Sequence, residues 1–129
     1  MNYDESDDDL DELPARPRQV IPAADRELLE LAARALGAVE VETVEGENWL
    51  NLHFADGSIV FNWNPLVHGD DTLDLSVKLL IGVDHSKFCV HARDDYGNDL
   101  ATEIAGDDRL AATCRAVTRA AAEITKQRS

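Results

Sequence analysis

Residues 49–63 constrain this chain more than any other stretch. Leu50, Leu52 and Phe54 alternate with other residues, Asp56-Gly57 follows, and Ile59, Phe61 and Trp63 alternate again. A period of two puts each trio on one face of a strand. The Asp-Gly pair between them accepts the positive φ that a tight reversal needs. The stretch therefore predicts an antiparallel hairpin with one apolar face, and that face must be covered by other elements. Asn64-Pro65 closes the pairing, because proline has no N–H for the ladder.

The cover comes from helical segments. Leu28, Leu29, Ala32, Ala35 and Leu36 recur at helical spacing over 25–36 and leave Arg26, Glu30 and Arg34 for solvent; Gly37 is a natural stop. A weakly alternating strand over 39–44 follows. A second helix is expected from Gly69 or Asp70 to Leu80, with Asp70, Asp71 and Asp74 at the end that the helix dipole favours for carboxylates. Its expected core row is Leu73, Val77 and Leu80, extended by Leu79 and Ile81, and Gly82 ends it. Phe88, Val90 and Ala92 then share one side of a strand, 94–99 is a turn, and 100–104 is a short partner strand. The last helix runs from Asp108 to about Lys126. Its apolar stripe is Leu110, Cys114, Val117, Ala121 and Ile124, spaced 4, 3, 4, 3. The spacing permits a coiled-coil seam, but packing on the domain's own sheet is the favoured reading. The expected order is α-β-β-α-β-(β)-α. The fold class is α/β of the α+β type, a small sandwich in which a mostly antiparallel sheet packs against helices. No internal repeat is visible.

Charge narrows the function classes. The chain has 129 residues and a net charge of -14, from 26 acids against 12 Lys+Arg. Cationic nucleic-acid binders and polybasic membrane-surface proteins do not look like this. The excess is uneven. Residues 1–13 hold seven acids and no base, 14–39 sum to +1, 40–108 to -12, and 109–129 to +4. Self-repulsion plus Pro14, Pro17 and Pro22 make 1–22 an expected disordered acidic tail, and 23–129 the single folded domain. The N-terminus lacks a signal peptide's basic and apolar regions, and no window is apolar enough to span a membrane. Two cysteines, Cys89 and Cys114, make no disulfide scaffold and suit a reducing cytoplasm.

No strong catalytic motif is present. His53, His85 and His91 lie near acids, yet their spacing matches no metal-binding pattern. Cys89 and His91 could share a sheet face, but a nucleophilic pair also needs an orienting group. Asp70-Asp71-x-x-Asp74 lacks the glycine and spacing of a calcium loop, and a helix start explains it. No catalytic, cofactor or metal residues are expected. The alternative is a cryptic metal-dependent hydrolase using His53, His85 or His91.

The run from Trp63 to Leu80, with its Trp63-Asn64-Pro65-Leu66, Gly69-Asp70 and Val77-Lys78-Leu79, resembles the phage ABA sandwich family, small phage and prophage proteins of unknown function. Leu36-Gly37 and the closing Arg115-Ala116-x-x-Arg119-Ala120 are also similar. The likeness covers roughly 25–126. His68 and Asp71-Thr72 depart from the family's pattern, and the acidic segment before Pro14 is an addition. The resemblance implies an α/β sandwich of phage origin and carries no catalytic residues. Combined with the charge, it leads to a specific expectation: a non-enzymatic phage accessory protein in the host bacterial cytoplasm that binds a host or phage protein with a basic surface. The sharpest version is an anti-CRISPR-like, nucleic-acid-mimicking inhibitor docking through Asp70, Asp71, Asp74, Asp94, Asp95 and Asp99. It would bind neither nucleic acid nor membrane directly. A homodimer or structural phage protein, built on the stripe from Leu110 to Ile124, is the alternative.

Overall fold

The computed structural model describes residues 21–128. The chain order is α1 (Ala23–Ala35), β1 (Ala38–Thr43), β2 (Leu50–Phe54), β3 (Ile59–Trp63), α2 (Gly69–Leu79), β4 (Gly82–His85), β5 (Cys89–Arg93), β6 (Asp99–Ile104) and α3 (Arg109–Arg128). The fold is a small α+β sandwich in which antiparallel strands pack against helices. Its sheet is split in two, β1-β2-β3 and β4-β5-β6, each a three-stranded meander. The strand β4 was not expected. Gly-Val-Asp-His has no readable alternation, and only its antiparallel ladder with β5, from Gly82↔Arg93 to His85↔Val90, makes it a strand.

The two meanders repeat each other. Leu50 and Leu52 are buried in β2 as Val90 and Ala92 are in β5. In the first hairpin Gly57 N–H donates to Phe54 O and Phe54 N–H to Ser58 O, both at 3.0 Å; in the second Gly97 N–H donates to Asp94 O and Asp94 N–H to Asn98 O, again at 3.0 Å. Gly57 and Gly97 carry matching positive φ values of 91° and 88°. Each meander follows a helix, so α1-βββ recurs as α2-βββ, and α3 is left over. The recurrence lies in backbone geometry and not in a sequence repeat.

Helix α3 binds the halves together. It packs on α1, on β5 and β6, and on α2. Against α1 the contact is made by small side chains, Ala32, Ala33 and Ala35 facing a helix rich in buried Ala112, Ala116, Ala120 and Ala121. Polar bonds fix the direction: Arg115 reaches Asp25 at 3.1 Å, Thr125 Oγ1 donates to Leu31 O at 2.6 Å, and Arg128 Nη1 donates to Ala35 O at 3.1 Å. Both numbers in each pair rise together, so α1 and α3 run parallel. The middle of the expected α3 stripe, Cys114, Val117 and Ala121, is buried in the domain itself.

Several residues expected in the core face solvent, Leu110 at the start of the α3 stripe among them. Ile59 and Phe61 are not in the core but 42% and 64% exposed. Between Leu50↔Trp63 and Leu52↔Val60 the register slips by one residue. Asn62 sits at φ 59° there, with its N–H donating to Asn51 Oδ1 at 3.2 Å. This bulge reverses the alternation, turning Trp63 inward and Phe61 outward. Phe88 lies just before β5 and is exposed, with the Lys87 ammonium 5.4 Å from its ring centroid. The row Leu73, Val77 and Leu80 of α2 also faces outward, as described below. Of the expected tail, 1–20 lies outside the described residues, while Ile21 packs on the core and Pro22 precedes the first turn of α1.

Candidate functional site: the groove between α2 and α3

Helix α2 is set by the turn that enters it. Asn64 is buried; its Oδ1 accepts Leu66 N–H at 3.0 Å, and its Nδ2 donates to Asn48 O. Asp71 Oδ2 accepts the Asn64 N–H at 2.9 Å and lies 3.2 Å from His68 Nδ1. Thr72 is buried, and its single hydroxyl proton is shared between Pro65 O, the nearer acceptor, and His68 O. These bonds fix the rotation of α2. Thr72 and Leu75 then point inward, with Leu79 half-buried beside them.

The expected core row is left outside. Leu73, Val77 and Leu80 are 64%, 63% and 62% exposed. Leu73 and Val77 lie at i and i+4 and form one ridge on α2, while Leu80 follows the helix as its left-handed cap residue. Beside the ridge is an apolar groove of about 190 Å³. Leu73 and Ser76 line it from α2, Val83 from β4, and Leu110, Thr113 and Val117 from α3. Leu110 is 69% exposed. The start of α3 is rigid: Asp108 Oδ1 accepts Ala111 N–H at 2.9 Å, and Arg109 donates to Ser86 O at 2.8 Å and Lys87 O at 2.9 Å. Asp70 lies in the first turn of α2, and Asp107 and Asp108 precede α3; Asp74, paired with Lys78, lines a different cavity.

A second, smaller cavity of about 50 Å³ lies among Leu52, Phe54, Val60, Trp63, Asp74 and Lys78. Trp63 is 2% exposed, so the sequence expectation of a core anchor holds. Its buried indole Nε1 has no hydrogen-bond partner.

The six acids singled out in the sequence fall into two groups. Asp70, Asp71 and Asp74 sit in the first turns of α2. Asp94, Asp95 and Asp99 sit at the β5–β6 turn, beside Gly82, which pairs with Arg93. From Asp70 to the end of α2 the helix rises about 14 Å, and from Asp74 about 8 Å, before the chain reaches Gly82. Several acids already have partners. Asp74 pairs with Lys78 at 3.2 Å, and Asp99 with Arg93, which also holds Asp84. Arg93 keeps the Asp99 carboxyl below the ordinary carboxylate range. Bonds from the Asn98 side chain and backbone, with help from Tyr96 N–H, do the same for Asp94.

The histidines are not brought together. His53 lies in the first sheet, 3.1 Å from Glu42, whose carboxyl it holds below the ordinary range. His91 meets Thr102 at 3.1 Å, and His85 meets Arg109 at 3.2 Å. Among the described residues no group of three His, Cys, Asp or Glu could hold a metal ion. Cys89 and Cys114 are both free thiols, half-buried and buried respectively. No helix among the described residues is long and apolar enough to cross a membrane. The exposed apolar ridge escaped the sequence reading because α2 carries two apolar rows, and spacing alone does not say which one is buried. No protein-family model, curated protein or solved structure matches the chain, so the likeness to the phage ABA sandwich family stands only on the sequence runs quoted for it.

Proposed function

We propose that this chain is a protein-binding module that docks its partner on the α2–α3 face and acts by binding, without chemistry of its own. One observation carries the reading: Leu73 and Leu110, large, apolar and exposed, line one groove from its two sides. Leaving such side chains in water forgoes about 25 cal/mol for each Å² that could be buried, and a clustered exposed patch of this kind marks an interaction surface. A host nucleic-acid-binding protein is then one choice of partner, which this chain would inhibit, with Asp70 steering the partner's basic surface.

Photo-crosslinking tests the reading. A photoreactive residue placed at position 73 or 110 should give one discrete protein adduct in an extract of the source cells. Unlabelled wild-type chain should compete it away, and a Leu73→Ser/Leu110→Ser double variant should not. A photoreactive residue at Glu45, on the β1–β2 turn, should give no such adduct. Absence of a competed adduct from both groove positions overturns the proposal.

A further inference from the structure

Resting on that reading, we infer that residues 13–20 of this chain cover the α2–α3 groove until a partner displaces them, with Leu13 seated between Leu73 and Leu110. The resident occupant is then a segment of the chain itself, and docking is gated from within.

The chain enters the described structure beside the groove. Ile21 packs on the core, and Asp25, in the first turn of α1, meets Arg115 at 3.1 Å. Arg115 directly follows Cys114, which lines the groove together with Leu110, Thr113 and Val117. Because α1 and α3 run parallel, the residues before Asp25 lead toward the start of α3, where Leu110 stands. Successive positions on a helix are about 100° apart, so the path from the Arg115 side of α3 to its groove side is about a quarter of its circumference, about 10 Å. The eight residues 13–20 span up to about 28 Å when extended. The segment is long enough to round α3 and place Leu13 in the groove.

The lining and the segment match in chemistry. No charged side chain lines the groove. Its hydroxyls are already committed: Thr72 to Pro65 O, Ser76 to Leu73 O at 2.8 Å, and Thr113 to Arg109 O at 2.8 Å. Such a lining takes apolar side chains and offers nothing to polar ones. Residues 13–20 bring Leu13, Pro14, Ala15, Pro17 and Val20, and their only charges are Arg16 and Arg18. The seven acids of the N-terminal stretch all precede Leu13 and need not enter the groove. Two prolines in eight residues reduce the conformational freedom that docking removes. Tethering does the rest: a contact within one chain forms at an effective concentration on the order of 1 mM, so a weak one suffices. Weakness is also what lets a partner displace it.

The test places a photoreactive residue at position 13 of the full chain. Irradiation should give a product of monomer mass whose cross-link maps to α2 or α3 residues of the groove. Leu13→Ser, in the full chain, should shift the methyl resonances of Leu73, Leu110 and Val117 and leave those of Leu52 and Val90 in place. It should also raise the yield of the partner adduct from position 110. A cross-link that maps outside the groove overturns the inference, and so do groove methyls that Leu13→Ser leaves unmoved. A product of twice the monomer mass overturns it as well, since the segment then lies in the groove of a second copy. A mark from position 13 in the groove, with no partner adduct even in Leu13→Ser, supports the segment and rejects the binding module. A competed partner adduct with no mark from position 13 rejects the segment and leaves the module standing.

Discussion

The Asp71 carboxylate accepts the backbone N–H of Asn64 across seven residues, at 2.9 Å. That bond ties the end of the first hairpin to the first turn of α2. Asp71→Ala leaves a buried N–H without a partner. The expected cost is about 1–3 kcal/mol, read as a lower urea midpoint at unchanged slope. Asp71→Asn should recover part of it, since an amide oxygen can accept the same bond. Full stability in the alanine variant would show that the turn does not depend on this contact.

The orientation of α2 makes two neighbouring leucines behave oppositely. Leu75 is fully buried, and Leu75→Ala should cost about 2–5 kcal/mol. Leu73 is exposed, and Leu73→Ser should stay within about 0.5 kcal/mol of wild type. Thermal unfolding of the two variants decides the matter. Equal losses would mean that the row Leu73, Val77, Leu80 is the core face after all.

The β5–β6 turn should make stability fall in acid. Asp94 accepts N–H groups of Tyr96 at 2.9 Å and Asn98 at 2.8 Å, and its carboxyl titrates below the ordinary range. A group with a lowered folded pKa stabilises the fold above its unfolded value and loses that effect as pH falls through the folded one. Tm should therefore be flat near neutrality and decline once pH drops below about 4. Asp94→Ala should have a lower Tm at neutral pH and a shallower decline in acid. Identical acid slopes in wild type and variant would remove Asp94 from the account.

Trp63 combines a large buried ring with an unpaired Nε1–H. Trp63→Ala should cost about 3–5 kcal/mol through the void it leaves. Trp63→Phe removes the orphan donor along with part of the ring, so the two effects oppose each other, and the expected loss is about 1 kcal/mol. Chemical denaturation of both variants checks this. A phenylalanine variant as unstable as the alanine one would mean that the indole N–H is satisfied.

Much of this fold can be read from residue spacing. The hairpin at Asp56-Gly57, all three helices and the partner strand after the 94–98 turn are where periodicity places them. Spacing fails where a single backbone torsion decides the outcome. Asn62 at φ 59° shifts the register and moves Phe61 from core to solvent, and nothing in Val-Phe-Asn-Trp announces a bulge. Strand β4 exists through pairing alone. The candidate site was half legible. Asp70 stands out as an acid at a helix start. Leu73 and Leu110 stand out too, but as core, because a short helix with two apolar rows does not say which one its hydrogen bonds turn inward. The kinship of Leu50-x-Leu52 before Gly57 with Val90-x-Ala92 before Gly97 becomes visible only once the hairpins are superposed.

The parallel seating of α1 on α3 has a consequence for how the chain is made. Asp25 and Arg115 stand 90 positions apart, and Leu31 and Thr125 stand 94 apart. On a ribosome, α1 emerges long before the helix it packs against. Until α3 follows, Leu29, Ala32 and Ala33 lack their main cover, and such distant contacts also slow folding. The first helix of the chain is thus among the last to find its place, and the nascent protein passes through a stage that a chaperone or a premature partner could exploit.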